Sequence, residues 1–157
     1  FYVLIYVLMT MVAFMIIEVL SSKHREVKSL KDLKDLNSSH PWFSLIMLIT
    51  MCSMIGVPPF AGFYAKWSVL SSLIEAKMVY TAIIAILMTV IAAFYYLRVI
   101  WFIYFEKTNK EIGQPDSNIL QKAVVSFTGI TIFLIGLYPK PLLDFCRQII
   151  SSNLLLD

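Results

Sequence analysis

The chain has 157 residues, of which 59% are hydrophobic and 15% charged, and its net charge is +3. Soluble domains carry about 25% charged residues, so this composition excludes an ordinary soluble domain and predicts a membrane protein. The small positive charge is explained by basic loops and indicates no nucleic-acid partner. Cys52 and Cys146 lie in different apolar segments, without the spacing of a metal or redox site, so we expect two inert thiols.

Residues 1–20 are the first predicted transmembrane helix. Apart from Thr10 and Glu18 the segment is apolar, and 20 residues span about 30 Å, the thickness of the hydrocarbon core. Glu18 lies in the last turn, where we expect it to be solvated, with a buried proton-relay role as the alternative. The span begins directly at Phe1, which favours a piece of something larger (a split gene or a separate upstream chain) over a cleaved signal peptide.

Residues 21–41 form the most charged stretch, a basic loop. Apolar residues recur there at every third position, which predicts a short amphipathic helix on the membrane surface or, alternatively, a solvated loop. His24 and His40 lie in the same stretch, and His40 precedes Pro41 at the membrane edge. Histidine titrates near neutral pH, so His40 is either a structural residue or a residue at which protons are taken up. The apolar residues of the pattern are Val27, Leu30, Leu33 and Leu36.

Residues 42–76 are too long for one straight crossing, since 35 residues would span about 52 Å. Pro58 and Pro59 break any helix there, because proline cannot donate the helical hydrogen bond. A hairpin of two crossings competes with one crossing made of two half-helices. The positive-inside rule favours the single crossing, broken at residues 57–63, because it leaves the basic loops 21–41 and 106–122 on one side.

Lys66 is the ionisable residue of this broken crossing. It lies ten residues before Ala76, about 15 Å from the end of the second half-helix and near the bilayer centre. An ionisable side chain at that depth is costly and indicates a functional site. Desolvation disfavours the protonated amine, and so would the positive N-terminal dipole of a half-helix beginning near Gly62. We therefore expect a proton-relay lysine, with a fixed ion pair to a carboxylate of another chain as the alternative.

The remaining segments complete an all-α membrane protein with four transmembrane segments. The third segment, residues 78–105, ends in an aromatic belt that contains Arg98, for which snorkelling to the headgroups competes with tuning a relay. The fourth segment covers residues 123–138, and residues 142–156 predict an interfacial amphipathic helix. The sequence contains no phosphate-binding loop, nucleophile elbow, or Cys or His cluster, so no redox or hydrolytic site is predicted on this chain.

Five stretches carry a resemblance to a known family. Residues 31–33, 40–42 and 53–67 read Lys-Asp-Leu, His-Pro-Trp and Ser-Met-Ile-Gly-Val-Pro-Pro-Phe-Ala-Gly-Phe-Tyr-Ala-Lys-Trp. Together they resemble the signature of the antiporter-like subunits of respiratory complex I. Residues 94–99, Phe-Tyr-Tyr-Leu-Arg-Val, and 136–142, Gly-Leu-Tyr-Pro-Lys-Pro-Leu, resemble the subunit 2 group of the mitochondrial enzyme, called subunit N in bacteria.

The resemblance implies a family fold of fourteen helices with two inverted repeats, each containing a broken helix, of which this chain is similar to the last four. Lys66 stands at the proton-path lysine of the second broken helix. In subunit 4 relatives a glutamate stands there, and in subunit 5 relatives an acidic residue follows where this chain has Trp67. From the residues themselves, the predicted supporting residues of the break are Gly56, Pro58, Pro59, Gly62 and Tyr64, and the electrostatic neighbours predicted for Lys66 are Arg98, Glu18 and His40.

The implied function is proton translocation in the membrane arm of a NADH:ubiquinone oxidoreductase of the mitochondrial inner membrane or, alternatively, the bacterial plasma membrane. The chain itself would bind no cofactor, because FMN, iron–sulfur clusters and ubiquinone would lie on other subunits. Its partners would be lipid and other membrane-arm subunits, including a chain that supplies the preceding helices. The alternatives are a subunit of a multi-subunit cation/proton antiporter and a non-pumping structural fragment.

Overall fold

A computed structural model of the chain describes residues 1–21, 27, 29–108 and 119–154. His24, most of the charged residues in the first half of the basic loop, and the polar turn 109–118 lie outside the described residues. The regular elements of the described part are all helical. They are a 3₁₀ turn, Leu30–Leu33, and the helices α1 Tyr2–Leu20, α2 Leu36–Ser39, α3 Pro41–Ile55, α4 Ala61–Glu75, α5 Val79–Tyr104, α6 Ile119–Leu137 and α7 Lys140–Leu154.

Three of the described helices, α1, α5 and α6, are long and apolar enough to cross a membrane, and α3 is a shorter apolar helix. This confirms the predicted all-α membrane architecture. One boundary differs from the prediction: α6 begins at Ile119, four residues before the expected start at residue 123. Gln121 is exposed and Lys122 half-buried in its first turn, so these polar side chains are accommodated within the helix.

The second crossing is broken, as predicted, but the irregular segment covers residues 56–60 and is displaced toward the N-terminus from the expected 57–63. Gly56 ends α3 with φ +91°, a left-handed conformation that residues with a Cβ adopt rarely. Helix α4 resumes at Ala61, because the N–H of Gly62 bonds to a side chain of α3 and so has a partner at the helix start.

Helix α5 shows that α3 and α4 form one crossing and not a hairpin. Its C-terminal part, at Val99, lines a cavity with Met47 and Met51 of α3, and its middle, at Met88, lines another with Lys66 of α4. The segment between α4 and α5 is only residues 76–78, so Glu75 is held close to Val79. Helix α5 thus runs past the two half-helices one after the other.

The amphipathic helix predicted within the basic stretch 21–41 is not a single helix over the described residues 29–39. A 3₁₀ turn and the short α2 are separated by Asp35, whose φ of +59° interrupts the helical run. Leu33 and Leu36 are 3% and 1% exposed, because they pack into the protein core and not toward a membrane surface. Lys34 forms an ion pair with Glu106, and the N–H of Asp35 bonds to the carbonyl of Phe102. The basic stretch and the C-terminal end of α5 therefore lie at the same end of the helix bundle.

The core lies between α1, α3, α6 and the C-terminal half of α5. Gly129 of α6 allows close packing on α3, since a Cβ there would lie 2.4 Å from Cγ2 of Ile46. Gly136, in the last turn of α6, fits against the backbone of Pro59 and Phe60. Helix α6 therefore ends beside the break, and α4 continues past it along α5.

Candidate functional site

The break between α3 and α4 is held by backbone contacts too close for any side chain at residue 62. A Cβ on Gly62 would lie 1.8 Å from the carbonyl oxygen of Ser53. The N–H of Gly62 donates to Oγ of the buried Ser53 at 3.0 Å. The first turn of α4 is therefore pressed against the last turns of α3, and a buried hydroxyl satisfies one free N–H at the α4 start.

Lys66 turns back from α4 toward the C-terminal end of α3. Its Nζ donates to the carbonyl oxygens of Met54 and Ile55, both at 2.9 Å. Its aliphatic stem passes over Gly56, where a Cβ would lie 3.1 Å from Cδ of Lys66. The half-buried amine is thus fixed at the break, and the glycine leaves room for its stem.

The helix dipole at the amine differs from the sequence expectation. The expected effect was the positive N-terminus of α4, which disfavours a cation. The amine instead contacts the last carbonyls of α3, at the negative end of that helix's dipole. These carbonyls lack partners within α3, so a cation satisfies them. Desolvation and the α3 terminus therefore act in opposite directions on the charged form of Lys66.

A cavity of about 260 Å³ lies over Lys66 between α1 and α5. Met54, Gly62 and Ala65 form its floor beside the lysine. Its sides carry three tyrosines and a threonine among methionines and an alanine. The side-wall residues are Tyr2, Tyr6 and Met9 of α1 and Met88, Thr89, Ala92 and Tyr96 of α5.

The predicted supporting residues lie at the break itself. Gly56 and Gly62 contact the lysine stem and α3, as described, and Tyr64 is half-buried with its ring edge-on to Phe63 at 5.4 Å. The side chains of Pro58 and Pro59 are exposed in this chain, while the carbonyl of Pro59 faces Gly136 of α6.

The three possible electrostatic neighbours do not line the Lys66 cavity. Arg98 is exposed, packs its guanidinium 5.8 Å from the ring centroid of Phe102, and lines the adjoining apolar cavity. Glu18 is exposed in the last turn of α1, about 18 Å along that helix from Tyr6. His40 caps α3 at the end opposite the break.

Sequence reasoning missed Ser53, the carbonyls of Met54 and Ile55, and the tyrosines of the cavity. Backbone carbonyls carry no residue-type signal, so only the folded position of Lys66 against the end of α3 reveals them. Tyr2 and Tyr6 are four residues apart and so share a helix face, which was an available signal. No group of His, Cys, Asp or Glu able to hold a metal ion occurs among the described residues.

Comparison with known proteins gives three kinds of match. Residues 1–93 match the family described as NADH:quinone oxidoreductase/Mrp antiporter, TM. The NADH-quinone oxidoreductase subunit N of Nitrosomonas europaea is 41% identical over 157 residues, which cover 98% of this chain and 32% of that protein. Subunit N of Methylovorus glucosotrophus is 42% identical over 155 residues, again covering 98% of this chain and 32% of that protein.

Among solved structures, a chain of respiratory complex I from Thermus thermophilus, determined with bound aureothin, superposes with a TM-score of 0.76 at 27% identity. The match covers 88% of this chain and 31% of that one. The chain thus spans about a third of the length of the relatives it matches. Because the family match extends over more than half of its residues, the chain belongs to the NADH:quinone oxidoreductase/Mrp antiporter transmembrane family.

Proposed function

We propose that this chain is a proton-translocating membrane-arm subunit of a NADH:quinone oxidoreductase, in which Lys66 takes up and releases the transferred proton. The observation that carries the proposal is the Lys66 amine, bonded to the carbonyls of Met54 and Ile55 at a broken helix and facing a cavity. Broken helices at membrane depth are tolerated where they are buried in protein or line a wet cavity.

The hydrogen bonds of Lys66 suit an amine that changes its protonation state. An ammonium group has three N–H donors, and two of them are used by the α3 carbonyls. A neutral amine keeps two N–H groups, so both bonds survive when the third proton leaves. Within the described residues no acceptor takes that third proton, so it is available to the cavity. Deprotonation therefore leaves the break intact.

Lys66 lies on α4 opposite the middle of α5, and this depth supports a relay inside the membrane. The cavity over the lysine is lined by α5 residues from Met88 to Tyr96. Met88 is nine residues after Val79, and Tyr96 is eight residues before Tyr104, so the cavity lies opposite the middle of α5. At 26 residues, α5 is about 39 Å long, enough to cross a bilayer.

The similar proteins indicate the membrane and the partner subunits of the proposed function. Because the matched relatives are bacterial subunits N, a bacterial plasma membrane is favoured over the mitochondrial inner membrane, and the subunit N type over a mitochondrial subunit 2. The partners would be other membrane-arm subunits, the remaining helices of a longer polypeptide or second chain, and lipid. FMN, iron–sulfur clusters and quinone would be held by other subunits, and their reduction would drive the protonation changes at Lys66.

The alternative is a subunit of a multi-subunit cation/proton antiporter, because the family description covers both classes. The names of the relatives favour the oxidoreductase. Purification of the complex that contains this chain distinguishes the two. Flavin and iron–sulfur absorbance in the purified complex supports the oxidoreductase, whereas a complex without redox subunits that exchanges cations for protons supports the antiporter.

The relay is tested by Lys66→Met and Lys66→Arg in the assembled complex, with Lys31→Met as the control because Lys31 is exposed in the basic stretch. We expect both Lys66 variants to slow NADH-driven proton transport at least about tenfold, since methionine holds no proton and arginine does not release one. The control should transport protons at the wild-type rate. Normal transport by assembled Lys66→Met complexes would leave only a structural role for this chain.

A further inference from the structure

Three tyrosine hydroxyls lie on the walls of the Lys66 cavity. Tyr2 and Tyr6 come from α1 and Tyr96 from α5, while Lys66 lies on α4. Three separate helices thus bring phenols and the amine to one cavity. Tyr2 and Tyr6 are 38% and 45% exposed in this chain and Tyr96 is half-buried. None of the three hydroxyls bonds to another residue in the described part of the chain, so each can bond to water.

The cavity has the room and the polar groups that ordered water requires. A water molecule takes up about 30 Å³ and needs two to four polar partners. A volume of about 260 Å³ therefore accommodates several molecules. The amine, the phenols and the hydroxyl of Thr89 supply partners, the Thr89 hydroxyl being free to accept while it donates to the carbonyl of Ile86.

A second cavity adjoins the Lys66 cavity and limits how far ordered water would extend. It measures about 320 Å³ and shares Met54 and Tyr96 with the Lys66 cavity, but its walls are otherwise mostly apolar. Apart from Thr10, Tyr95, Tyr96 and Arg98 its lining is apolar, so it offers water fewer partners than the Lys66 cavity does. Tyr96 lies on the boundary between the two cavities, so hydrogen-bonded water over Lys66 would extend along the phenols and stop at the apolar side.

We propose that the hydroxyls of Tyr6 and Tyr96 hold a chain of waters over Lys66 and pass its proton across the cavity between α1 and α5. This inference rests on the proposed relay function of Lys66. The third N–H bond of the ammonium breaks and its proton passes to a water oxygen, while that water gives one of its own protons to a phenol oxygen. The phenol O–H releases its original proton to the next water, which carries the excess proton onward as hydronium. Lys66 is left as a neutral amine, the first water and the phenol end unchanged, and one proton has moved without electron transfer.

Tyr6→Phe, Tyr96→Phe and the double variant test the proposal, because phenylalanine keeps the ring and removes only the hydroxyl. Tyr80→Phe is the matched control, since Tyr80 lies on α5 at 86% exposure and away from both cavities. Proton transport per NADH oxidised and the turnover rate are measured in membranes, normalised to assembled complex. We expect about a fivefold slower turnover for each single variant and about 20-fold for the double variant.

A structural role for the rings is separated from a relay by the solvent deuterium isotope effect. Loss of a relay hydroxyl makes proton transfer more rate-limiting, so the isotope effect of the single variants should rise above that of the wild type and of Tyr80→Phe. If the double variant does not assemble, the single variants carry the test. Wild-type turnover and isotope effect in the tyrosine variants, with slow transport in Lys66→Met, would overturn this inference alone. Normal transport in Lys66→Met would overturn the relay itself.

Discussion

The two half-helices of the broken crossing differ sharply in how much of their surface this chain covers. Helix α3 buries residues along its whole length, from Phe43 to Met54, whereas α4 buries only Ala61, Gly62 and Ala65 near its start. In the first half of α5 only Ala82 is buried. The chain therefore forms a packed core on the α3 side of the break. On the other side, most of α4 and, apart from Ala82, the first half of α5 are left without buried residues.

The packed α3 side of the break positions Lys66. Burial on α4 is confined to its first two turns, and Lys66 follows directly after the buried Ala65. The lysine is therefore positioned by α3 through Met54 and Ile55 even though the rest of its helix has few contacts in this chain. Substitutions at the break should be costly, and substitutions on the other side should cost little through contacts within the chain.

The largest effect is expected for Gly62→Ala. The new Cβ would overlap the carbonyl oxygen of Ser53. Because this oxygen belongs to the backbone of α3, relieving the clash requires α3 and α4 to move apart. Overpacking costs about 1–3 kcal/mol and more when backbone must move, so we expect a loss of about 3 kcal/mol. The amount of assembled complex on a native gel and its heat inactivation measure the effect. Ser72→Ala, on the exposed side of α4, is the control and should assemble normally.

A smaller effect is expected where α6 meets the break. A Cβ on Gly136 would meet three backbone atoms of residues 59–61 between 2.6 and 2.8 Å, whereas one on Gly129 would meet only the side chain of Ile46. Alanine gains about 1 kcal/mol in helix propensity at both positions. We expect Gly136→Ala to destabilise the complex by about 2 kcal/mol and Gly129→Ala by about 1 kcal/mol, because the buried Ile46 has little χ1 freedom but its side chain yields more easily than backbone. Equal heat-inactivation temperatures for the two variants would contradict this packing.

Ser53→Ala should cost less again. It removes the acceptor of the Gly62 N–H and leaves that buried donor without a partner. Hydrogen bonds between membrane helices contribute up to about 2 kcal/mol, so we expect a loss of about 1 kcal/mol. Ser53→Thr keeps the hydroxyl and serves as the matched variant. The same heat-inactivation assay checks both, and an unchanged Ser53→Ala protein would show that water replaces the hydroxyl.

The smallest effect is expected for the ion pair between Lys34 and Glu106 at the basic end of the bundle. Both side chains are about one-third exposed, so solvent screens their attraction, and such pairs contribute about 0.5 kcal/mol. A double-mutant cycle with Lys34→Met and Glu106→Gln, read from heat inactivation at low and high salt, measures the coupling. A coupling energy several times larger would indicate that the pair is shielded by a partner in the complex.

The sequence alone predicted the broken crossing because its signals are local. Pro58 and Pro59 cannot continue a helix whatever surrounds them, and a largely apolar run of 26 residues such as α5, with Arg98 near its end, is helical in any membrane setting. The bounds moved by a few residues, since helix ends depend on which partner satisfies the terminal N–H groups. At the start of α4, the hydroxyl of Ser53 accepts the hydrogen bond of the Gly62 N–H. No local sequence pattern connects these two residues.

The basic stretch shows the opposite case. Its leucines at every third position are compatible with a surface helix, but α3 and α5 offer a core in which Leu33 and Leu36 are buried more completely. The burial of a side chain depends on which helices surround it. A local pattern therefore could not distinguish a leucine that faces lipid from one that faces protein.

What the sequence determined by itself is the membrane class, the helices, the position of the break and the presence of one lysine beside it, because each follows from hydropathy and backbone geometry along the chain. Only the tertiary structure decided which atoms that lysine contacts. The carbonyls of Met54 and Ile55 are free because α3 ends there, and the side chain of Lys66 extends back past the irregular segment 56–60 to reach them. The electrostatic surroundings of a charged group depend on these three-dimensional neighbours, so the α3 dipole acting on Lys66 could be recognised only after folding.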